Sequence, residues 1–245
     1  MSPRRRGQPR KDLIAAVRAT LEEAAEPERA PQMQAYMKSS MPYYGVRMPE
    51  VRKRVRTVLN DLPIDARPDW EATIRGLYDD ATYREERYAA LTLAAHRYYR
   101  EWALAPESLA LYERLIRTGA WWDLVDETSH RVGDVLLADS ETVTPTIRAW
   151  SGADDLWVRR CSIICQVGHK AETDLDLLSC VIEPNIADRD FFIRKAIGWA
   201  LREVAYVEPG WVHAFVNEHP SLSSLSVREA TKHIGQAPSA ADLSR

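Results

Sequence analysis

Two tryptophans and two aspartates lie within six residues near the middle of the chain, in the stretch WWDLVD at 121–126. No Gly or Pro interrupts this stretch, and apolar segments of helical character flank it on both sides. In a helix, Trp122 and Asp126 are one turn apart and share a face. An aromatic plane beside an acid is suited to stabilising a cation, because the ring face and the carboxylate both attract positive charge. This pair is the first candidate for chemistry.

The composition favours a helical globular protein. Hydrophobic residues make up 45% of the 245 residues, which is enough for a core. Ala, Leu, Arg and Glu are abundant and favour helix, and no strand-like alternation or hairpin signal is evident. The net charge of −3 argues mildly against a nucleic-acid partner. A stack of helices can nevertheless carry acids on one side and arginines on the other, so the sum over the chain does not decide the question.

The sequence also indicates a compartment. No apolar run approaches the ~20 residues of a membrane span. The first eleven residues are basic and polar with no apolar segment behind them, which is unlike a secretory signal. Three cysteines are an odd and low number, typical of reduced thiols in a cytosol. We therefore expect a cytoplasmic protein of the bacterial cytosol or nucleoid, with no membrane partner.

The chain divides into one long helical segment and two tails. Residues 1–10 are expected to form a disordered basic tail, residues 11–236 a single repeat domain, and residues 237–245 a second disordered tail. Helices are predicted near residues 11–25, 31–38, 49–59, 68–79, 82–100, 107–118, 120–137, 141–150, 154–168, 172–182, 189–206, 209–217 and 224–234.

A short pattern recurs along these helices. It starts at Arg87, Arg159, Arg194 and Arg228, with a small residue two positions later each time. The spacing is 35 residues from 159 to 194, 34 from 194 to 228, and 72 from 87 to 159, which is two steps of 36. A period of this length built of helix pairs predicts an all-α, right-handed solenoid of HEAT-like repeats with an extended concave surface.

The missing repeat falls on the WWDLVD stretch, because the midpoint between 87 and 159 is 123. Three positions after the key arginine, the other repeats carry small or apolar residues, whereas this one carries Asp126. One position before it stands Trp122. A carboxylate in a slot that is otherwise packed costs free energy unless it is paired or used. Two departures on one face of one repeat are a signal of function.

Several segments then match a known family in order and spacing. They are MQAYMK at 33–38, GV at 45–46, PEVR at 49–52, WWDLVD at 121–126, WVRR at 157–160, IRKAIGWALRE at 193–203 and REATKH at 228–233. Together they make the region from about 31 to 234 resemble the AlkD-type DNA alkylation repair proteins. These are DNA glycosylases built from HEAT-like repeats.

The resemblance implies roles for single residues. Asp126, the last acid of WWDLVD, would be catalytic, with Trp122 and Trp199 as aromatic walls. The residues implied in DNA contact are Arg160, with Arg159 as the second choice, then Arg202, Tyr36, Arg52 and Arg47. Arg47 lies in the turn before Pro49, where relatives can carry small polar residues.

The activity implied is hydrolysis of the N-glycosidic bond of positively charged N3- or N7-alkylated purines in duplex DNA, as in base excision repair. An ionised carboxylate would stabilise an oxocarbenium-like sugar. No metal or organic cofactor is required, and a monomer with weak sequence preference is expected. The alternative is a non-catalytic HEAT-repeat scaffold that binds DNA structures or a protein, since some relatives lack the aspartate.

The sequence also allows purely structural roles for the same residues. Asp126 could be a surface carboxylate, one paired with a neighbouring arginine, or part of a dyad with His130 one turn on. Trp121 is expected in the core. Arg159, Arg194 and Arg228 recur in register and are mainly inter-repeat groups, which weighs against Arg159 in DNA contact.

Cys161, Cys165, His169 and Cys180 are residue types that can bind zinc, but their spacing argues against a site. On one helix, positions 161 and 169 are about 12 Å apart, whereas zinc ligands lie ~2.0–2.3 Å from one ion. Buried thiols are the favoured reading.

Overall fold

The computed structural model describes residues 7–234. Residues 1–6 and 235–245 lie outside the described range, and with them most of the predicted basic tail and all of the predicted C-terminal tail. Residues 7–10, expected to be disordered, are held against a later helix. The amide of Gln8 donates to Asp69 Oδ1 at 2.8 Å and that of Arg10 donates to Thr73 Oγ1 at 3.0 Å.

Every regular element within the described range is helical. The α-helices are α1 Lys11–Glu23, α2 Ala30–Met37, α3 Met48–Asp61, α4 Arg67–Asp79, α5 Arg84–Ala94, α6 Arg100–Ala103, α7 Leu109–Gly119, α8 Trp122–Ala138, α9 Ser140–Trp150, α10 Leu156–Ile164, α11 Leu175–Ile182, α12 Phe191–Ala205, α13 Pro209–Glu218 and α14 Ser224–Ala230. Short 3-10 turns cover 97–99, 106–108, 170–172 and 183–185. No helix in the range 7–234 is both long and apolar enough to cross a membrane.

The predicted helix over 82–100 is interrupted in the structure. Helix α5 ends at Ala94, and His96 is extended with φ −72° and ψ 134°. The His96 ring accepts from the amide of Tyr98 at 3.4 Å and so supplies an acceptor that a continuous helix would have provided. No Gly or Pro marks this break, so neither common breaker announces it.

Within residues 7–234 the chain forms two compact units, which divide between Leu104 and Ala105. In the second unit, α8, α10, α12 and α14 pack each against the next, while α9, α11 and α13 alternate with them along the chain. Such stacking of helix pairs on their neighbours is the arrangement of HEAT-like repeats, and the predicted all-α repeat fold is confirmed. The single domain expected over 11–236 stays a prediction.

We call α8, α10, α12 and α14 the inner helices of this unit, and α12 shows the expected amphipathic pattern. Along α12, residues 193, 196, 197, 200, 201 and 204 are buried, which is the spacing of one helix face. Two glycines allow close packing. A Cβ on Gly133 of α8 would lie 2.0 Å from the Cys165 carbonyl oxygen, and one on Gly198 of α12 would lie 2.6 Å from Glu229 Cβ.

In the first unit, a buried carboxylate holds the turn that leads into α3. Glu85 is 0% exposed. Its Oε1 accepts the amides of Gly45 at 2.9 Å and Val46 at 3.1 Å, and its Oε2 accepts the amide of Tyr44 at 3.0 Å. Burial raises the pKa of Glu85, and the three amide hydrogen bonds oppose the rise. Gly45 has φ +89°, a conformation that favours glycine.

Replacing Glu85 by Ala is expected to lower the free energy of unfolding by about 2–4 kcal/mol, because three amides lose their acceptor. Denaturant unfolding at neutral pH measures the change. The control is Glu101→Ala, which removes an exposed acid of α6 and should change stability by less than about 0.5 kcal/mol. Equal effects of the two substitutions would contradict this role for Glu85.

Candidate functional site

The start of α8 places the central acid and its tryptophan. Trp121 is extended, with φ −156° and ψ 146°, and the helix begins at Trp122. Leu124 and Val125 are fully buried on the packed side of the helix. Asp126 is one turn after Trp122 and shares its face. The helix therefore turns both side chains toward the same cavity.

This cavity has a volume of about 350 Å³ and gathers side chains from three successive inner helices, α8, α10 and α12. Its lining residues are Trp122, Asp126, Arg160, Phe191, Phe192, Lys195, Trp199 and Arg202. The acid and the two tryptophans singled out from the sequence are thus brought together. Arg160 and Arg202, implied in DNA contact by the resemblance, lie there as well.

The carboxylate of Asp126 is held by a guanidinium. Arg160 Nε donates to Oδ1 at 2.7 Å and Arg160 Nη2 donates to Oδ2 at 2.8 Å. Its Nη1 donates to the carbonyl oxygen of Phe192 at 2.7 Å. A fork of this kind fixes both the position and the plane of a carboxylate. One side chain of α10 thereby links the acid of α8 to the first turn of α12.

The resemblance implied that Arg160 contacts DNA, and that contact stays a prediction. Its side chain is only 4% exposed, against 16% for that of Asp126. Three of its donors are already engaged within the protein, so its contacts suit orientation of the acid better than binding of a DNA phosphate.

Two opposing effects set the proton affinity of Asp126. Burial raises the pKa of this carboxyl, and the hydrogen bond from Arg160 opposes the rise, as does the nearby His130. Both carboxylate oxygens act as acceptors toward Arg160, which is the pattern of the ionised form. A raised pKa means that the acid takes up its proton at a higher pH than an ordinary aspartate, so any role of the ionised form is lost as the pH falls through that pKa.

Aromatic residues form much of the wall. Trp199 lies on α12, and its indole Nε1 donates to Glu203 Oε1, one turn further on, at 3.2 Å. Phe191 is 53% exposed and lines the cavity beside it. Phe191 and Phe192 were not among the site residues predicted from the sequence. Phe192 is seven residues before Trp199, a spacing that puts both on one face of α12 and could have identified it.

Behind this wall lies an aromatic cluster. The ring of Phe192 is 5.5 Å from that of Trp121 and 4.9 Å from that of Trp157, and the two tryptophans are 6.0 Å apart. Trp121 therefore packs among other rings, but it is only half-buried and is not the buried core residue that the sequence had led us to expect.

Two cations of the cavity meet a single acid. Lys195 Nζ lies 2.8 Å from Glu229 Oε1, and Arg202 Nη1 donates to Glu229 Oε2 at 2.6 Å. Lys195, Trp199 and Arg202 are spaced i, i+4 and i+7, so they line one face of α12. The same spacing could have added Lys195 to the candidates.

Arg159 points elsewhere. It donates to the carbonyl oxygen of Ala153 at 2.8 Å and to Asp188 Oδ2 at 2.9 Å. These contacts tie the start of α10 to the turn before α12, in agreement with the inter-repeat role weighed from the sequence.

The remaining candidates lie in the first unit. Tyr36 on α2 is 74% exposed. Arg47 precedes α3, Arg52 lies on its second turn, and both are exposed. Their part in DNA contact stays a prediction.

The cysteines are free thiols. Cys161 and Cys165 are buried and Cys180 is half-buried. Burial raises the pKa of Cys161 to about 12, which disfavours the thiolate that a metal would require. Among residues 7–234, no group of three or more His, Cys, Asp or Glu side chains is arranged to hold a metal ion.

The fold and the site together define a class: a helical-repeat protein with an acid, two indoles and several cations in one cavity. Comparison with known proteins identifies the family. The chain belongs to the DNA alkylation repair enzyme family, whose model matches residues 17–234. The resemblance noted from the sequence is confirmed. Among curated proteins, no match was found.

Solved structures agree with this assignment. A protein from Enterococcus faecalis, described as a predicted DNA alkylation repair enzyme, is 31% identical with a TM-score of 0.79, over 87% of this chain and 98% of that chain. AlkD2 from Streptococcus mutans is 16% identical with a TM-score of 0.60, over 77% of this chain and 91% of that chain. The second likeness is one of fold.

Substituting Arg160 by Gln is expected to raise the pKa of the Asp126 carboxyl further, because the opposing hydrogen bonds and charge are lost while burial remains. Carboxyl carbon chemical shifts followed over a pH series measure it. Arg160→Lys keeps the charge without the fork and should give a smaller rise. The Asp188 carboxyl, which pairs with Arg159, serves as internal control. An unchanged Asp126 titration in the Gln variant would contradict the assignment.

Proposed function

We propose that this protein is a DNA glycosylase that removes positively charged N3- or N7-alkylated purines from duplex DNA. It acts as a monomer in the cytoplasm and requires no cofactor. The observation that carries the proposal is the cavity in which the carboxylate of Asp126 lies with the indoles of Trp122 and Trp199. Membership of the DNA alkylation repair enzyme family supports it.

The chemistry needs little beyond a well-placed negative charge. In an alkylated purine the base is already a cation, so the electron pair of the breaking C1′–N bond neutralises it, and the base leaves without being protonated. The sugar is left as an oxocarbenium-like cation, to which water adds at C1′, and the water proton passes to Asp126 or to solvent. An ionised Asp126 stabilises that cation and orients the water.

The ion pair with Arg160 is compatible with this role. A carboxylate has about four acceptor sites, and Arg160 uses one on each oxygen. The 16% exposure of the Asp126 side chain leaves part of it open to the cavity. In this proposal Arg160 is a positioning residue, which holds the carboxylate in one orientation and keeps it ionised.

The two tryptophans give the site its preference for positive charge. An indole face attracts a cation by roughly 0.5–2 kcal/mol, depending on how dry the site is. Trp199 is fixed by its hydrogen bond to Glu203, so its face is oriented before the ligand arrives. Trp122 is held one turn before the acid by α8.

Phosphates would be held by the cations. Lys195 and Arg202 line the cavity, and Arg47, Arg52 and Tyr36 offer exposed groups in the first unit. Contacts to phosphate fix position without reading sequence. The proposal therefore includes weak sequence preference and a strong dependence of binding on salt.

One observation favours a rival function. The fork between Asp126 and Arg160 is also what a purely structural inter-repeat ion pair would look like, as expected in a non-catalytic scaffold that binds DNA or a protein. Removing the acid of a structural ion pair should lower the stability of the protein, whereas removing a catalytic acid should slow base release. The two functions therefore predict different effects of replacing Asp126.

Replacing Asp126 by Asn is expected to slow release of 7-methylguanine from methylated duplex DNA by about 10²–10³-fold, as removal of one strong electrostatic group does in other enzymes. Single-turnover rates and binding to undamaged duplex are measured together. The matched control is Asp134→Asn on the same helix, which loses the same charge from an ion pair with Arg131 and should release base normally. DNA binding with no release even by the unaltered protein would support the scaffold.

Replacing Trp199 by Ala is expected to weaken binding to duplex containing 7-methylguanine by about 2–30-fold, the range that 0.5–2 kcal/mol of cation–aromatic attraction implies. Binding is compared in the Asp126→Asn background, so that base release does not interfere. Duplex with neutral 7-methyl-7-deazaguanine should show a smaller loss, and Trp199→Phe a smaller loss on both. Equal losses on the charged and neutral bases would refute charge recognition by this ring.

A further inference from the structure

The carboxylate of Glu229 joins two cations that belong to the cavity. Lys195 and Arg202 are seven residues apart on α12, about 10 Å along the helix axis. Their charged ends nevertheless lie within hydrogen-bond distance of the same carboxylate, 2.8 and 2.6 Å away. The acid itself comes from the next inner helix, α14, and only 13% of its side chain is exposed. Glu229 therefore draws together two groups that the helix alone would leave apart.

The position of Glu229 is fixed by close packing of α14 on α12. Gly198 has no side chain where a Cβ would lie 2.6 Å from Glu229 Cβ and 3.0 Å from the Ser226 carbonyl oxygen. The hydroxyl of Ser226, on α14, donates to the Arg194 carbonyl oxygen at 2.9 Å. The three-way contact is thus built into the seam between two repeats, unlike an ordinary surface ion pair.

Both cations keep donors for another ligand. A lysine ammonium has three donors and an arginine guanidinium five. Each of the two side chains uses one donor for its contact with Glu229. The cluster carries two positive charges against one negative charge. A phosphate can be held by the remaining donors of both side chains while Glu229 stays bound behind them.

We propose that Glu229 is a positioning residue, which holds Lys195 and Arg202 together as a two-cation clamp for a DNA phosphate beside the cavity. This inference rests on the proposed function, because it takes DNA as the ligand. It assigns a role to an acid that touches neither the base nor the sugar.

The direction in which DNA affinity changes when Glu229 is replaced distinguishes a positioning role from a purely electrostatic one. A carboxylate near DNA repels phosphate, so removing its charge should tighten binding if charge were its only contribution. If Glu229 orients the clamp, its removal lets Lys195 and Arg202 separate, and binding weakens. The hydrogen bond from Lys195 lowers the pKa of Glu229, so the carboxylate is ionised under ordinary assay conditions.

The test uses the full chain with Glu229→Gln and Glu229→Asp, and measures affinity for an undamaged DNA duplex by fluorescence anisotropy at several salt concentrations. Both variants should bind about 3–10-fold more weakly, although one loses the charge and the other keeps it on a shorter side chain. In a Lys195→Gln, Arg202→Gln background the effect of Glu229→Gln should vanish. Thermal unfolding checks that each variant is folded, and either variant alone suffices for the test.

The matched control is Glu113→Gln, which removes an acid from an ion pair with Arg117 on α7. It should leave affinity unchanged or slightly higher. Unchanged or tighter binding by the folded Glu229 variants overturns the inference, as does a loss that persists in the double-variant background. Binding is measured apart from base release, so failure of the clamp leaves the glycosylase proposal standing. If the protein binds DNA as expected but releases no base, the clamp is supported and the glycosylase proposal is refuted.

Discussion

The arrangement of the site depends on the buried ion pair between Asp126 and Arg160. Removing two charges from water is costly, and only good geometry with further hydrogen bonds offsets that cost. Here the geometry is a two-point fork, with the third contact of Arg160 going to the Phe192 carbonyl oxygen. Because Phe192 lies in the first turn of the helix that carries Trp199, the same guanidinium fixes the spacing between acid and indole. Breaking the pair would leave one buried charge unpaired, and α8, α10 and α12 would lose the contact that joins them.

The repeat explains why these groups meet. Arg160, Lys195 and Glu229 each follow the key arginine of their own repeat by one residue, so they occupy the same face of α10, α12 and α14. Arg160 reaches back to the acid of the preceding repeat, and Glu229 reaches back to the cations of the repeat before it. From α8 to α14 the charges on this face run negative, positive, positive and negative. Ion pairs close the α8–α10 and α12–α14 seams, and Arg160 joins α10 to α12 through the Phe192 carbonyl oxygen. The face that carries the candidate chemistry is therefore also the face that couples neighbouring repeats.

Periodicity in the sequence predicted the helices and singled out Trp122 and Asp126 within the repeat register, because helix faces follow from residue spacing, whereas Trp199 was identified by the family resemblance alone. It could not predict which arginine binds Asp126, since Arg159 and Arg160 are adjacent and their partners depend on how far apart the repeats stack. The bridge through Glu229 was missed for a similar reason: it depends on the close approach at Gly198. The break at His96 was not predicted because no Gly or Pro marks it, and the His96 ring caps the short turn that follows.

The charges of the cavity raise a question that the proposed reaction must answer. A cationic base that arrived alone would be repelled by Lys195 and Arg202 and attracted only weakly by Asp126, because Arg160 neutralises much of the charge of that carboxylate. DNA resolves the conflict, because its phosphates bring the negative charge that the cations lack. With phosphate bound by Lys195 and Arg202, the field that remains at the sugar comes from Asp126 and the two indole faces, all of which favour positive charge. On this argument the cations do more than increase affinity: the site becomes attractive to a charged lesion only when the backbone of the same DNA is already in place.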